Sequence, residues 1–278
     1  MAPLAHTLAL LAMTLATAAI DEERMDMAPN SFDDQYRGCG PAMTAALPAL
    51  NRSEFQDNPV FAQAWLKAVA EWQRKGSPVS PLSSPAQAIA VMAYSMNDVH
   101  KAFNTAVRTA GSSPWEYRDN FHFKTLHFLL TQALAKLRDA KGQQCRNVFR
   151  GVCRYQSKAR QGDTVQFGQF ASSSLTKESA MRYGTNTLFK VHTCHSVGIQ
   201  NFSKYPEEEE VLIPPFETFK VTKFTWVGDR AEIQLHSSGT FSKYNCEWLQ
   251  GGSDPLAPFH FGGFILATTA LAVATGIL

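Results

Sequence analysis

Residues 123–150, FKTLHFLLTQALAKLRDAKGQQCRNVFR, contain the change of texture on which the fold turns. In the first part Phe123, Leu126, Leu130, Leu134 and Leu137 recur every three or four positions, which puts them on one face of an α-helix. Near Cys145 the apolar runs become short and the period drops to two, beginning with Asn147 to Arg150. Upstream, after a polar leader, the helical rhythm continues. Phe61, Trp65, Leu66, Val69 and Trp72 form a stripe that starts after Asn58-Pro59 and is stopped by Gly76-Ser77-Pro78, and Ala86 to Met96 and Asp98 to Ala110 read as further helices. Downstream come strand-length runs at Thr164 to Ser172, Thr187 to Thr193, Glu210 to Ile213, Phe219 to Val227 and Ala231 to His236. In the last, Ile233 and Leu235 alternate with Glu232, Gln234 and His236 after a Gly228-Asp229 turn. Helices first and strands second predict an α+β fold and not a doubly wound sheet. There is no internal repeat and no glycine-rich phosphate loop.

The 278 residues suffice for one large domain or two small ones. Charged residues make up 18% and the formal net charge is +2, with no cluster of Lys and Arg, so a nucleic-acid partner is disfavoured. Leu8 to Leu15 is an apolar run followed by Ala16-Thr17-Ala18, the small-x-small form of an export-signal cleavage site, although no Lys or Arg precedes it. Asp21-Glu22-Glu23 argues against a buried first helix. Phe261 to Leu278 is uncharged and apolar. With Gly251-Gly252-Ser253 as a small-residue site and Asp254 to His260 as spacer, it reads either as a glycosylphosphatidylinositol signal or as the tail of a simply secreted chain. The expected division is therefore 1–18 signal peptide, 19–144 helical part, 145–250 β-rich core and 251–278 apolar tail.

Five cysteines in an exported chain imply disulfides. Cys39, Cys145, Cys153, Cys194 and Cys246 contain no CxxC pair, which disfavours a metal site. Five choices of free thiol times three pairings leave fifteen arrangements, and spacing does not choose among them. Asn51-Arg52-Ser53 and Asn201-Phe202-Ser203 are glycosylation sequons.

Glu207 to Glu210 run directly into Val211-Leu212-Ile213-Pro214-Pro215. On a strand from Glu208 to Ile213, Glu208 and Glu210 would share one face and Glu207 and Glu209 the other. Adjacent carboxylates beside a buried apolar run repel one another, and a cationic ligand would be a reason to keep them. A solvated acidic turn is the simpler alternative. Two other short pieces precede this one in the β half: Val148-Phe149-Arg150-Gly151 and Phe167-Gly168-Gln169-Phe170-Ala171-Ser172-Ser173-Ser174. Taken singly, an arginine on a strand is usually a surface ion pair and a serine run usually a loop.

In this order the three pieces resemble the arginine, serine-rich and Glu-x-Glu elements of the arginine-specific ecto-ADP-ribosyltransferases of vertebrates. The resemblance also takes in Phe121 to Thr131, the Glu210 to Glu217 run, the signal and the apolar tail. It departs where the family often has Ser-Thr-Ser and this chain has Ser172-Ser173-Ser174, and where four glutamates stand in place of three. It implies an amino-terminal helical part packed on a mostly antiparallel β-sandwich core that binds NAD. It further implies transfer of ADP-ribose from NAD, with NADP as a second candidate, to arginine-containing extracellular proteins or small guanidino compounds. No permanent cofactor and no metal is implied, and a membrane is involved only through a lipid anchor.

The residue types suit that chemistry. By resemblance Arg150 binds the cofactor, its planar charged fork matching a pyrophosphate, and Gly151 leaves room for the ligand beside the backbone. Glu210 corresponds to the catalytic glutamate, whose carboxylate stabilises the oxocarbenium character of the nicotinamide ribose. Ser172 corresponds to the serine that orients it. Glu208 corresponds to the acid that selects arginine and accepts its proton. Phe202 and Ser203 fall in the loop expected to meet the acceptor, Tyr94 aligns with a tyrosine near the adenine or phosphate end of NAD, and Gln169 lies in the strand before the serines. The family pattern pairs Cys39 with Cys246 and Cys145 with Cys194, leaving Cys153 free. NAD glycohydrolysis and an inactive surface binding module are the alternative functions.

Overall fold

Local chemistry opens the helices of the first half. In the computed structural model, which describes residues 21–153 and 155–250, α1 spans Gly40–Asp57 and α2 spans Pro59–Arg74. The Asn58 side chain accepts from the Phe61 amide at 3.0 Å, and Pro59 stands where a helix lacks a donor partner. Ser84 caps α3, Pro85–Ser95, in the same way. α4 covers His100–Ala110 and α5 Lys124–Ala140. The start of α5 is capped by another helix: the buried Glu54 carboxylate of α1 accepts from the Lys124 and Thr125 amides at 2.5 and 2.9 Å. The expected export signal and apolar tail lie outside the described residues, and no described helix is long and apolar enough to cross a membrane.

α1 falls largely in the expected polar leader. Its inward stripe is Met43, Leu47, Leu50, Asn51 and Glu54, so two of the buried positions are polar, and Pro48 interrupts the pattern. Asn51 is 1% exposed, which makes the first sequon inaccessible in the folded chain, whereas Asn201 is exposed. In α2, Phe61, Trp65, Val69 and Trp72 are buried, but Leu66 is on the outer face.

The second half builds three sheets. β2 (Arg146–Val152), β6 (Thr187–Thr193), β10 (Arg230–Thr240), β9 (Glu217–Val227) and β4 (Thr164–Val165) form one in that order; only the β6–β10 pairing is parallel. β5 (Ala171–Ser173), β8 (Val211–Ile213) and β7 (Val197–Gly198) form an antiparallel three-stranded sheet. Val148, Phe189, Val191, Phe219 and Ile233 of the larger sheet share one core with Ala171, Val211 and Ile213 of the smaller, giving the packed sandwich. A separate pair joins β1 (Asp21–Arg24) in parallel to β3 (Tyr155–Lys158), an association the sequence pattern does not announce. The helices gather around a second core, which Phe170, Val197, Ile199, Phe202 and Leu212 enter from the sheet side.

Disulfides join Cys39 to Cys246 and Cys145 to Cys194, and Cys153 is free and exposed. His192 lies beside the second bridge, and with both sulfurs covalently bonded that cluster offers no thiolate to a metal.

Candidate active site

The cleft lies where the small sheet meets β2 and the carboxyl-terminal turn of α3. It encloses about 460 Å³, and Arg150, Ser172, Glu208 and Glu210 all line it. Backbone pairing sets most of this geometry. Ser172 stands opposite Leu212 in the β5–β8 register, and Glu210, two residues before Leu212, is its diagonal neighbour. Phe149 of β2 exchanges two 2.8 Å backbone hydrogen bonds with Ser174, which fixes the larger sheet against the serine run. The next residue, Arg150, then reaches across to donate from Nη1 to the Ser172 carbonyl at 2.7 Å.

The acidic stretch is not the strand expected from alternation. β8 begins only at Val211; Pro206–Glu208 is a 3-10 turn, and Glu209 is left-handed at φ 46° and ψ 41°. That reversal, not a strand pleat, brings Glu208 and Glu210 to the same cleft. Glu207 and Glu209 are exposed and do not line it. Burial raises the Glu210 pKa, the Ser172 hydrogen bond and Arg150 lower it, and the Glu208 charge raises it further. Glu208 is exposed and lines the cleft with Tyr183, a rim residue 56% exposed.

The remaining expected residues divide. Tyr94 is 1% exposed; its hydroxyl donates to the Phe170 carbonyl at 3.0 Å, accepts from Asn104 at 3.2 Å and lies 3.3 Å from Ser172 Oγ. It lines the cleft as a floor beneath the serine. Gln169 lines the cleft with its side chain held by Arg108. Gly151 also lines it, and packing adds its own demand for glycine there: a Cβ would stand 2.3 Å from the Ala180 carbonyl and 2.4 Å from that of Gly184. The protein's own turn after α6 (Lys177–Met181) fills that space. Ser203 is not brought to the cleft. It is 1% exposed, its hydroxyl accepts from the Tyr205 amide at 3.0 Å, and Phe202 is buried in the helical core, so neither side chain faces an acceptor.

The cleft thus presents a fixed cation, a serine beside a partly buried carboxylate, and a second, solvent-facing carboxylate. Such a set can hold a polyanionic ligand while stabilising a cationic centre and a cationic partner. A family model described as NAD:arginine ADP-ribosyltransferase matches residues 25–243. The chain belongs to this family. Among its ADP-ribosyltransferase relatives, the erythroblast NAD(P)(+)--arginine ADP-ribosyltransferase of Gallus gallus is 47% identical over 262 residues, covering 89% of this chain and 87% of that protein. GPI-linked NAD(P)(+)--arginine ADP-ribosyltransferase 1 of Homo sapiens is 42% identical over 277 residues, covering 92% and 84%. The crystal structure of the eucaryotic mono-ADP-ribosyltransferase ART2.2 matches with a TM-score of 0.71 at 35% identity, over 81% of this chain and 98% of that one. An ART2.2 variant in complex with NAD matches with a TM-score of 0.69 at 34% identity and the same coverage.

Among the cleft residues that escaped the sequence reading of this ADP-ribosyltransferase, three stand near its polar groups. Asn104 and His100 come from α4, where helical spacing marks only the apolar face; Tyr183 is a lone aromatic after a short helix. Burial and then Arg150 lower the His100 pKa, which favours the uncharged ring beside the arginine. A second cavity of about 580 Å³ shares the wall formed by Arg108, Arg150, Tyr155 and Gln169 but contains neither the serine nor the acids.

Proposed function

We propose that this protein transfers a single ADP-ribose from NAD, with NADP as an alternative co-substrate, to the guanidinium group of arginine. The observation that carries the reading is the convergence of Arg150, Ser172, Glu208 and Glu210 in one cleft of a chain from this family. Arg150 pairs with the pyrophosphate and Gln169 adds a polar wall. The bond between the ribose C1′ and the nicotinamide nitrogen breaks, its electron pair leaves with nicotinamide, and Glu210 stabilises the positive charge that develops on the sugar. Ser172 holds Glu210 through its hydroxyl. A guanidinium nitrogen then bonds to C1′ and gives up a proton, for which Glu208 at the open edge is the acceptor. Residues 145–250 carry this machinery, and the helical part, 19–144, supplies its floor. Protein arginines outside the cell, or small guanidines, are the acceptors: the disulfides suit an oxidising compartment, and the GPI-linked relatives support a surface location.

Incubation with labelled NAD and agmatine is expected to release nicotinamide and yield ADP-ribosyl-agmatine. Free ADP-ribose with no agmatine adduct would overturn the transferase reading in favour of NAD glycohydrolysis. No nicotinamide release at all would leave the binding module.

A further inference from the structure

The two acids of the cleft are held by different halves of the molecule. Glu210 is continuous with β8, its carbonyl accepts from the Ile199 amide at 3.0 Å, and Ser172 stands opposite Leu212 two residues on, so its position is set by the sheet. Glu208 hangs from residues 202–205, whose holds lie mainly in the helical half. Lys75, at the carboxyl-terminal cap of α2, donates its ammonium to the carbonyl oxygens of Ser203 at 2.5 Å and Lys204 at 3.3 Å. The Lys204 amide donates to Ser95 Oγ at 2.8 Å, and the Lys204 ammonium pairs with Glu71 of α2 at 2.8 Å. Phe202 is inserted in the helical core at 2% exposure. From this anchored point the chain rises into the 3-10 turn, where the Glu208 amide bonds back to the Tyr205 carbonyl at 3.2 Å. Lys75 itself is absent from the cleft lining.

We infer that Lys75 is a positioning residue for Glu208, and that this clamp sets how much of the reaction is captured by arginine instead of water. The physical reason is the separation of supports. An ammonium bridging two consecutive carbonyls makes charge-assisted hydrogen bonds to the stem of the turn and fixes its direction. Release of the stem would displace Glu208 without moving Ser172 or Glu210, and small displacements of a positioned group are costly in rate. The inference rests on the transferase reading.

Lys75→Met is expected to raise the KM for agmatine about tenfold and to shift the ratio of transfer to hydrolysis by the same factor. NAD hydrolysis without acceptor should stay within about twofold, and Lys75→Arg should restore most of the ratio. An unchanged ratio in Lys75→Met, or hydrolysis falling in parallel with transfer, would overturn the clamp. If Lys75→Met does not fold, Lys204→Met removes only the Glu71 pair and is read in the same way, with a smaller shift expected and an unchanged ratio counting against the proposal. Amide exchange of residues 204–209 separates this idea from the function itself. Faster exchange there in Lys75→Met, with the rest of the chain unaffected, supports the clamp even if the wild-type protein proves unable to modify agmatine; unchanged exchange refutes it.

Discussion

Two glutamates show what separates a carboxylate kept for architecture from one kept for chemistry. Glu217, at the start of β9, is 0% exposed and fully engaged: it accepts from the Thr193 hydroxyl at 2.6 Å, the Cys194 amide at 2.8 Å, the His195 amide at 3.2 Å and the Ser237 hydroxyl at 2.7 Å. Glu210 has the Ser172 hydroxyl, Arg150 and a second acid, Glu208, around it. Burial raises the pKa of both. The difference is in the fixed donors. Those around Glu217 replace the water it has lost and bind β6, β9 and β10 together beside the Cys145–Cys194 bridge. Glu210 keeps lone pairs uncommitted and facing the cleft, which is the condition for stabilising a charge that exists only in the transition state.

The sharpest way to break this contrast is Glu210→Gln. Nicotinamide release should fall about a thousandfold, as for loss of a principal electrostatic stabiliser, while the melting temperature at neutral pH should hold or rise. The sign follows from the raised pKa: the folded state binds this proton more tightly than the unfolded chain, so Glu210 favours folding below its ordinary pKa, and that contribution is lost as pH rises through the folded value. The stability advantage of Glu210→Gln should therefore grow with pH, and wild-type activity should fall on acidification at a pH above the usual glutamate range. A variant that is both inactive and strongly destabilised would erase the distinction.

Glu217→Ala is the counterpart. It strands buried donors, at a cost of about 3–5 kcal/mol in denaturant unfolding, while turnover per folded molecule stays within about threefold. Loss of turnover without loss of stability would show that Glu217 serves the reaction after all. The smallest effect is expected from Glu208→Gln, which refines the contrast within the cleft. Transfer to agmatine should drop by about a hundredfold, the lower end of what a general base contributes, and hydrolysis should fall much less. Equal loss of both would remove the assignment of Glu208 to the acceptor.

Sequence and structure part company at instructive places. Helical periodicity disclosed α2 and α5 because their buried positions are apolar; α1 was hidden because Asn51 and Glu54 occupy its inner stripe and Pro48 interrupts it. The strand at Thr187 to Thr193 was legible, but its parallel pairing with β10 was not, since pairing depends on long-range register that local pattern does not encode. Alternation singled out Glu208 and Glu210 through a strand that does not exist there, and left-handed Glu209 produces the same outcome by another route. The motif pattern carried the expectation for Arg150, Ser172 and the acids. It misjudged Ser203 because a sequence neighbour of a site need not face it: the side chain is 1% exposed and absent from the cleft lining.

The Cys39–Cys246 bridge has a mechanical consequence. It closes a covalent ring across a sequence separation of 207 residues, so that the five- and three-stranded sheets and nearly all the helical layer lie inside it. Tension between the two ends of the described chain is shunted through the sulfurs and cannot lengthen anything within the ring. Among the described residues, only the segments before Cys39 and after Cys246 could be drawn out by such a pull. A protein tethered by its carboxyl-terminal side and dragged at its amino-terminal side would keep its cleft assembled while those flanking segments took the strain.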